Sequence, residues 1–258
     1  MPPESLEAMG RRTTRFVAGS PSVRDNLIAN HGVDPARMDM VHESIVPTVR
    51  AADLADKAAL RRRLGIPTGA VLVLGCGAVE ERKGVDLFIE MAGLVHRRLG
   101  GGVLFYWIGA PDPVAPLDTD ALAAAHGVAD VLYFTGPTPT PKDYFLAGDL
   151  FTLPSREDCV SLVGLEACEC GLPVVCFEGA GDLPAFVHPE AGLAVPHGDV
   201  RAMTEAVVAL VLDAPRRKAL GRAARTRLLA THVTDRAAPF LLRSCLETIR
   251  QWRSKGAQ

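Results

Sequence analysis

The chain has 258 residues, 48% of them hydrophobic and 22% charged, the composition of a globular protein long enough for one large domain or about two ordinary ones. A formal net charge of −2 speaks against a protein that coats nucleic-acid phosphates with a basic face. The longest apolar runs, "AVLVLGCGAV" and "AVVALVL", fall short of the roughly 20 residues that span a bilayer, and "MPPESLEAMGRRTTRF" lacks the apolar centre of a secretory signal. The expectation is a soluble, cytoplasmic chain. Its six cysteines read as reduced thiols. Cys159, Cys168, Cys170 and Cys176 lack the C-x-x-C pairing of a metal site and sit mostly among apolar neighbours, so no metal is expected.

Taken in order, the apolar runs "TRFVAGS", "RMDMVHES", "AVLVLGCG", "VLFYWIG", "VLYFTG", "LFTLPS", "PVVCF" and "LAVPH" are short and continuous. Helical patterns lie between most of them: "SVRDNLIANHG", "VDLFIEMAGLVHRRLG", "DTDALAAAHGV", "LVGLEACECG" and "VRAMTEAVVALVLDAPRRKALGRAARTRLL". Such alternation predicts an α/β protein with a doubly wound parallel sheet covered on both faces. The stretch "VPTVRAADLADKAALRRRLGIPTG" reads as a linker and charged helix. It divides a leading piece, residues 1–50, from a sheet domain with a helical tail, residues 51–258.

Ligands of open α/β sheets bind beyond the carboxyl ends of the strands, and two of those ends carry unusual residues. In "VLGCGAVEERKGVDLF", Gly75 and Gly77 let the backbone pass close to a ligand, or simply make a tight turn. Arg82 and Lys83 bring positive charge to a helix start, where free amides and the helix dipole attract phosphate. Glu80 stands where a dinucleotide-binding fingerprint needs its third glycine, and no P-loop lysine motif is present. In "LFTLPSREDCVSLVGLEACECG", Ser161 is a candidate helix N-cap, and the amides of Ser161, Leu162 and Val163 form a second anion site. Glu166 and Asp158 are placed to accept hydrogen bonds from vicinal hydroxyls; the plainer alternative is a surface charge or a cap. A phosphate cradle flanked by two hydroxyl-binding acids suits a sugar nucleotide.

Residues from about 70 to 212 resemble the C-terminal, donor-binding domain of the family 4 retaining glycosyltransferases, which have the two-domain GT-B fold. Three elements match in order: "RKGVDLF" after a glycine-rich strand end, "LFTLPSREDCVSLVGLEACECGLPVV" as the family's paired-acid element, and "GAGDLPAFVHPEAGLAVPHGD" as its glycine-rich ending. "YFTGPTPTPKDYFLAGDLF" falls where the family meets the nucleobase. The resemblance implies that Lys83 neutralises the donor pyrophosphate with help from the amides at 161–163. It further implies that Glu166 binds the ribose, that Asp158 holds the transferred sugar, and that Thr135, Gly136 and Pro137 meet the base. Catalysis by Lys83, Asp158 and Glu166 would then be electrostatic, with a nucleoside-diphosphate sugar as donor and no cofactor or metal. The leading "RFVAGSPSVRDNLIANHGVDPARMDMVHESI" resembles the last strand, helix and strand of the family's N-terminal domain.

The departures are specific. Ala78 stands where many members carry an arginine, leaving only Arg82 to compensate; the first acid is Asp158 rather than glutamate; and Ala185 replaces an acid after the proline. The acceptor-binding part of the family's N-terminal domain is not in these 258 residues. The implied protein therefore binds a nucleotide-sugar and transfers its glycosyl group with retention, releasing the nucleoside diphosphate, when a further domain or subunit supplies the acceptor site. The alternative is a non-catalytic nucleotide-sugar-binding or scaffold module. Other expectations are self-association into a homo-oligomer through an exposed strand edge and, less favoured, contact of the arginine-rich helix "PRRKALGRAARTRLL" with a membrane surface.

Overall fold

The computed structural model describes Gly10 and residues 12–255. They fall into two compact units: residues up to Val46 together with those from Thr231 onward, and Pro47–Ala230.

The first unit begins with β1 (Phe16–Ala18), α1 (Pro21–His31) and β2 (Met38–Met40), a parallel two-stranded pairing with Phe16 opposite Met38. Ser20 caps α1, accepting from the Val23 amide at 3.3 Å, and Gly32 ends it in the left-handed region, the usual chemistry of helix ends. The leading strand, helix and strand expected from the sequence are all present.

The second unit runs α2 (Lys57–Arg63), β3 (Val71–Cys76), α3 (Val85–Leu99), β4 (Val103–Ile108), α4 (Thr119–His126), β5 (Leu132–Phe134), α5 (Pro141–Ala147) and β6 (Leu150–Leu153). It continues through α6 (Leu162–Glu169), β7 (Val174–Phe177), α7 (Leu183–Val187), β8 (Gly192–Val195), α8 (Val200–Leu212) and α9 (Ala214–Thr231). The strands form one parallel sheet in the order β5-β4-β3-β6-β7-β8. The chain order therefore reverses between β3 and β6, the switch point at which doubly wound sheets open a crevice. Helices α3, α4 and α8 pack together, as do α2, α5 and α6. Buried on both sides, the strands have no polar alternation: every residue of β6 and β7 is buried, as parallel sheets require.

The core centres on Trp107, Phe105, Phe88, Phe145, Phe151 and Phe177, all nearly inaccessible. Each large apolar side chain so buried contributes about 1.5–3 kcal/mol before entropic costs. Asp149, just before β6, joins three elements: its carboxylate accepts from Lys57 Nζ at 2.7 Å, Arg61 Nη2 at 2.5 Å and the Leu72 amide at 2.9 Å. Burial alone would raise this carboxyl, but Lys57, the Leu72 amide and Arg61 together hold it below the ordinary carboxylate range.

The last helix, α10 (Thr234–Lys255), belongs to the first unit. The Ile45 amide donates to the His232 carbonyl and the Thr234 amide to the Ile45 carbonyl, both at 3.0 Å. Asp39 on β2 accepts from Arg15 and from Ser244 Oγ on α10. The helical tail expected to lie with the sheet domain groups instead with the leading segment through these polar contacts, which carry no local sequence signature.

Candidate functional site

The loops leaving β3, β6 and β7 are tied to one another at the carboxyl end of the sheet. Arg156 forks onto Asp86 at the start of α3, 2.8 and 2.6 Å, and also donates to the Glu81 carbonyl. The Arg156 amide reaches the Arg82 carbonyl at 2.9 Å, and the Arg82 guanidinium returns to the Glu157 carbonyl at 3.1 Å. The Asp158 amide donates to the Ala180 carbonyl at 2.6 Å, bringing in the β7 loop. Gly84 makes the first junction close: its φ of 71° is in the left-handed region, and an added Cβ would collide with the Pro154 carbonyl oxygen.

Across this junction Lys83 Nζ meets Asp158 Oδ2 at 2.7 Å, with both side chains mostly buried. The phosphate-binding lysine and the first acid expected from the sequence are thus neighbours on opposite sides of the switch point. Gly77, with φ 148°, lies against the Lys83 stem: a Cβ there would stand 3.4 Å from its Cγ and Cδ. Gly75 has a different reason for lacking a side chain, since its Cβ would run into the Trp107 ring in the core. Arg82, expected to compensate for Ala78, is held by Glu80 at 2.6 Å.

The helix start behaves as its residues predict. Ser161 Oγ accepts from the Gly164 amide at 3.3 Å and the Ser161 carbonyl from Leu165. As first-turn residues, Leu162 and Val163 have no carbonyl one turn back to bond. Glu166 follows on the next turn, half-buried and without a hydrogen-bond or ion-pair partner among the described residues. Burial is the main reason its carboxyl sits above the ordinary pKa; Lys142 works against the rise and Glu169 adds to it. Cys76, at the end of β3, feels both sides of the site. Its thiol is pushed up to about 12, first by burial and then by Glu166, with Lys83 opposing. Cys170 and Cys176 are likewise raised to about 12 by burial, so these thiols are inert core residues. Thr135, Gly136 and Pro137 lie beyond β5. The Thr135 amide donates to the Trp107 carbonyl at 3.0 Å, and Gly136, φ 69°, bridges to Gly109 after β4.

One acid of this helix went unremarked in the sequence. Glu169, fully buried, accepts from the amides of Thr48 and Val49 (the latter at 2.7 Å) and from Lys142 Nζ at 2.8 Å. Its signal was present: an acid inside the otherwise apolar "ACECG" must find partners if the helix is buried.

The family model described as "Glycosyl transferases group 1" matches residues 70–213, more than half of the chain. The chain belongs to the group 1 glycosyltransferases. The match takes in β3 through α8, with every candidate site residue from Gly75 to Glu166. The D-inositol 3-phosphate glycosyltransferase of Kribbella flavida is 30% identical over 234 residues, covering 86% of this chain and 55% of that protein. The D-inositol 3-phosphate glycosyltransferase 1 of Catenulispora acidiphila is 31% identical over 214 residues, covering 80% and 51%. The chain spans about half the length of the curated relatives it matches. Solved structures share the fold. Sucrose-phosphate synthase from Thermosynechococcus elongatus superposes with a TM-score of 0.74 at 21% identity, over 98% of this chain and 62% of that one. Anabaena HepE in complex with UDP and glucose gives 0.78 at 15% identity, over 97% and 67%. The doubly wound parallel sheet expected from the sequence is therefore that of a GT-B glycosyltransferase.

Proposed function

We propose that this chain carries the donor half of a retaining glycosyltransferase and binds a nucleoside-diphosphate sugar at the β3–β6 switch point. The observation that carries the reading is the meeting of Lys83 and Asp158 at 2.7 Å beside an acid, Glu166, that is half-buried and has no hydrogen-bond or ion-pair partner among the described residues. A desolvated carboxylate with unused lone pairs is costly to keep and gains most from a ligand with paired hydroxyls. Lys83 and the first-turn amides of α6 face the pyrophosphate, Glu166 takes the ribose, and Asp158 takes hydroxyls of the sugar. Thr135, Gly136 and Pro137 line the base. Lys83 and the N-terminus of α6 stabilise charge on the departing nucleoside diphosphate as the sugar becomes oxocarbenium-like. Arg82 and Gly77 position the Lys83 loop, whereas Gly75 leaves room for the Trp107 ring in the core beneath it. The reading needs no metal or cofactor for these steps. HepE's complex with UDP supports trying a uridine nucleotide first.

Transfer to an acceptor requires a second domain or subunit that orients the acceptor and excludes water. Slow donor hydrolysis separates a catalytic half from a pure binder. Incubated with its UDP-sugar, the chain should release UDP and free sugar at a rate lost in Lys83→Ala. A chain that binds the donor but releases no UDP is instead a non-catalytic module.

A further inference from the structure

At the amino end of the same sheet, opposite the candidate donor site, a cavity of about 310 Å³ opens between α9, the α6–β7 turn and the start of β6. Its wall carries five cationic side chains, Lys57, Arg217, Lys218, Arg222 and Arg225, against the single carboxylate of Asp149. The balance is more lopsided than the count, because Asp149 is already shared between Lys57 and Arg61. Arg217, 8% exposed, spends one amino group on the Leu210 and Val211 carbonyls. Arg225 donates to the Glu169 and Val49 carbonyls. Main-chain carbonyls satisfy donors but do not neutralise charge. Lys218 and Arg222 have no partner among the described residues. Among the described residues, four of the five cations therefore have no carboxylate partner.

The arrangement is built rather than incidental. Gly221 seats α9 against the turn after α6, where a Cβ would collide with the Gly171 carbonyl. With Gly221 facing the turn, Lys218, Arg222 and Arg225 recur at helical spacing along one side and converge on the cavity. The field there is felt by Lys57: burial lowers its pKa below the ordinary value and Arg61 and Arg217 push the same way, in spite of Asp149. Like charges held this close are unfavourable unless an anion joins them.

We propose that this cavity is a binding site for a small phosphate-bearing anion, distinct from the donor site. Lys218 and Arg222 supply free charge-assisted hydrogen bonds, and Lys57, Arg217 and Arg225 complete a cationic wall. The floor of Gly171, Leu172 and Pro173 leads directly into α6, which carries Glu166 one and a half turns earlier.

The test is calorimetric titration of the full chain with inorganic pyrophosphate and, separately, with a hexose phosphate. Lys83→Ala serves as the background that removes anion binding at the donor site, and Lys218→Gln/Arg222→Gln is the site variant; both residues are exposed, so the variant keeps its fold. The expected result is binding that persists in Lys83→Ala and falls by about tenfold or more in the double variant, since each lost bond to a charged group is worth at least a factor of several. Binding of pyrophosphate alone assigns the site to diphosphates, and binding of the hexose phosphate alone to phosphomonoesters. Binding that disappears with Lys83→Ala, or is untouched in the double variant, or is absent for both probes, overturns the proposal.

Discussion

Replacing Glu169 by alanine removes the acceptor of two main-chain donors, the Thr48 and Val49 amides, at a position with no exposure. A buried donor left without a partner costs about 1–3 kcal/mol, so the pair costs about 2–6 kcal/mol. Lys142 adds little, about 1 kcal/mol at most, because it keeps Thr48 Oγ1 at 2.7 Å and its side chain is 26% exposed to water. Glu169→Gln retains an acceptor oxygen and should lose about half as much. Urea denaturation reads this through Trp107, buried in the sheet, in a Trp252→Phe background that silences the exposed second tryptophan. A Glu169→Ala stability within about 0.5 kcal/mol of the parent, the range of ordinary surface substitutions, would refute the argument. Glu166, three residues earlier, has the opposite sign. Its folded pKa is raised, chiefly by burial, so the folded state holds the proton more tightly than the unfolded one. That contribution is fully present below the ordinary glutamate pKa and is lost as pH climbs through the raised value. Glu166→Gln should lack this decline and match or exceed the parent's stability at neutral pH.

Asp158→Asn frees Lys83 from its ion pair and should tighten binding of bare UDP by about three- to tenfold, the worth of a partly buried pair, whereas Lys83→Ala weakens it; equal affinities in titration would mean that Lys83 does not face the diphosphate. Ser155→Ala removes a buried hydroxyl with no hydrogen-bond partner among the described residues and should raise unfolding free energy by up to about 1 kcal/mol, measured by urea denaturation; a loss of that size would show that the hydroxyl is bonded. Gly84→Ala forces a side chain into the left-handed region and onto the Pro154 carbonyl, so it should cost at least about 1–2 kcal/mol and lower nucleotide affinity together, and unchanged values of both would show that the junction is loose.

The parallel sheet was legible because burial on both faces leaves strands as continuous apolar runs; each of the eight runs named from the sequence coincides wholly or in large part with a strand of the structure. Two helices escaped. In α5, Pro141–Ala147, and α7, Leu183–Val187, only one or two turns are made, too short for a helical period to emerge from their proline-rich surroundings. The single long pattern 200–230 is two helices broken at Asp213, whose side chain caps the second by accepting from the Arg216 amide at 2.9 Å. At the site, Asp158, Glu166 and Lys83 stood out because charge beside an apolar strand end needs a reason. The partner choices did not: that Lys83 pairs with Asp158, that Arg156 rather than Arg82 braces α3 through Asp86, and that Glu169 is consumed by a distant segment are contacts between residues 70 or more apart. The arginine-rich stretch, weighed from the sequence for contact with a membrane surface, buries Arg217, Gly221, Ala224 and Leu228, because Gly221 lets the helix approach the sheet domain closely.

The central claim is that the switch point between β3 and β6 binds a nucleotide-sugar through Lys83 and Glu166. Calorimetric titration with UDP, GDP and ADP and their sugar conjugates, on the parent and on Glu166→Ala, tests it most directly. The account predicts saturable binding of one nucleotide, weakened about tenfold or more in the variant, as expected when an acid loses two charge-assisted hydrogen bonds. Binding by none of them, or binding indifferent to Glu166, would contradict it.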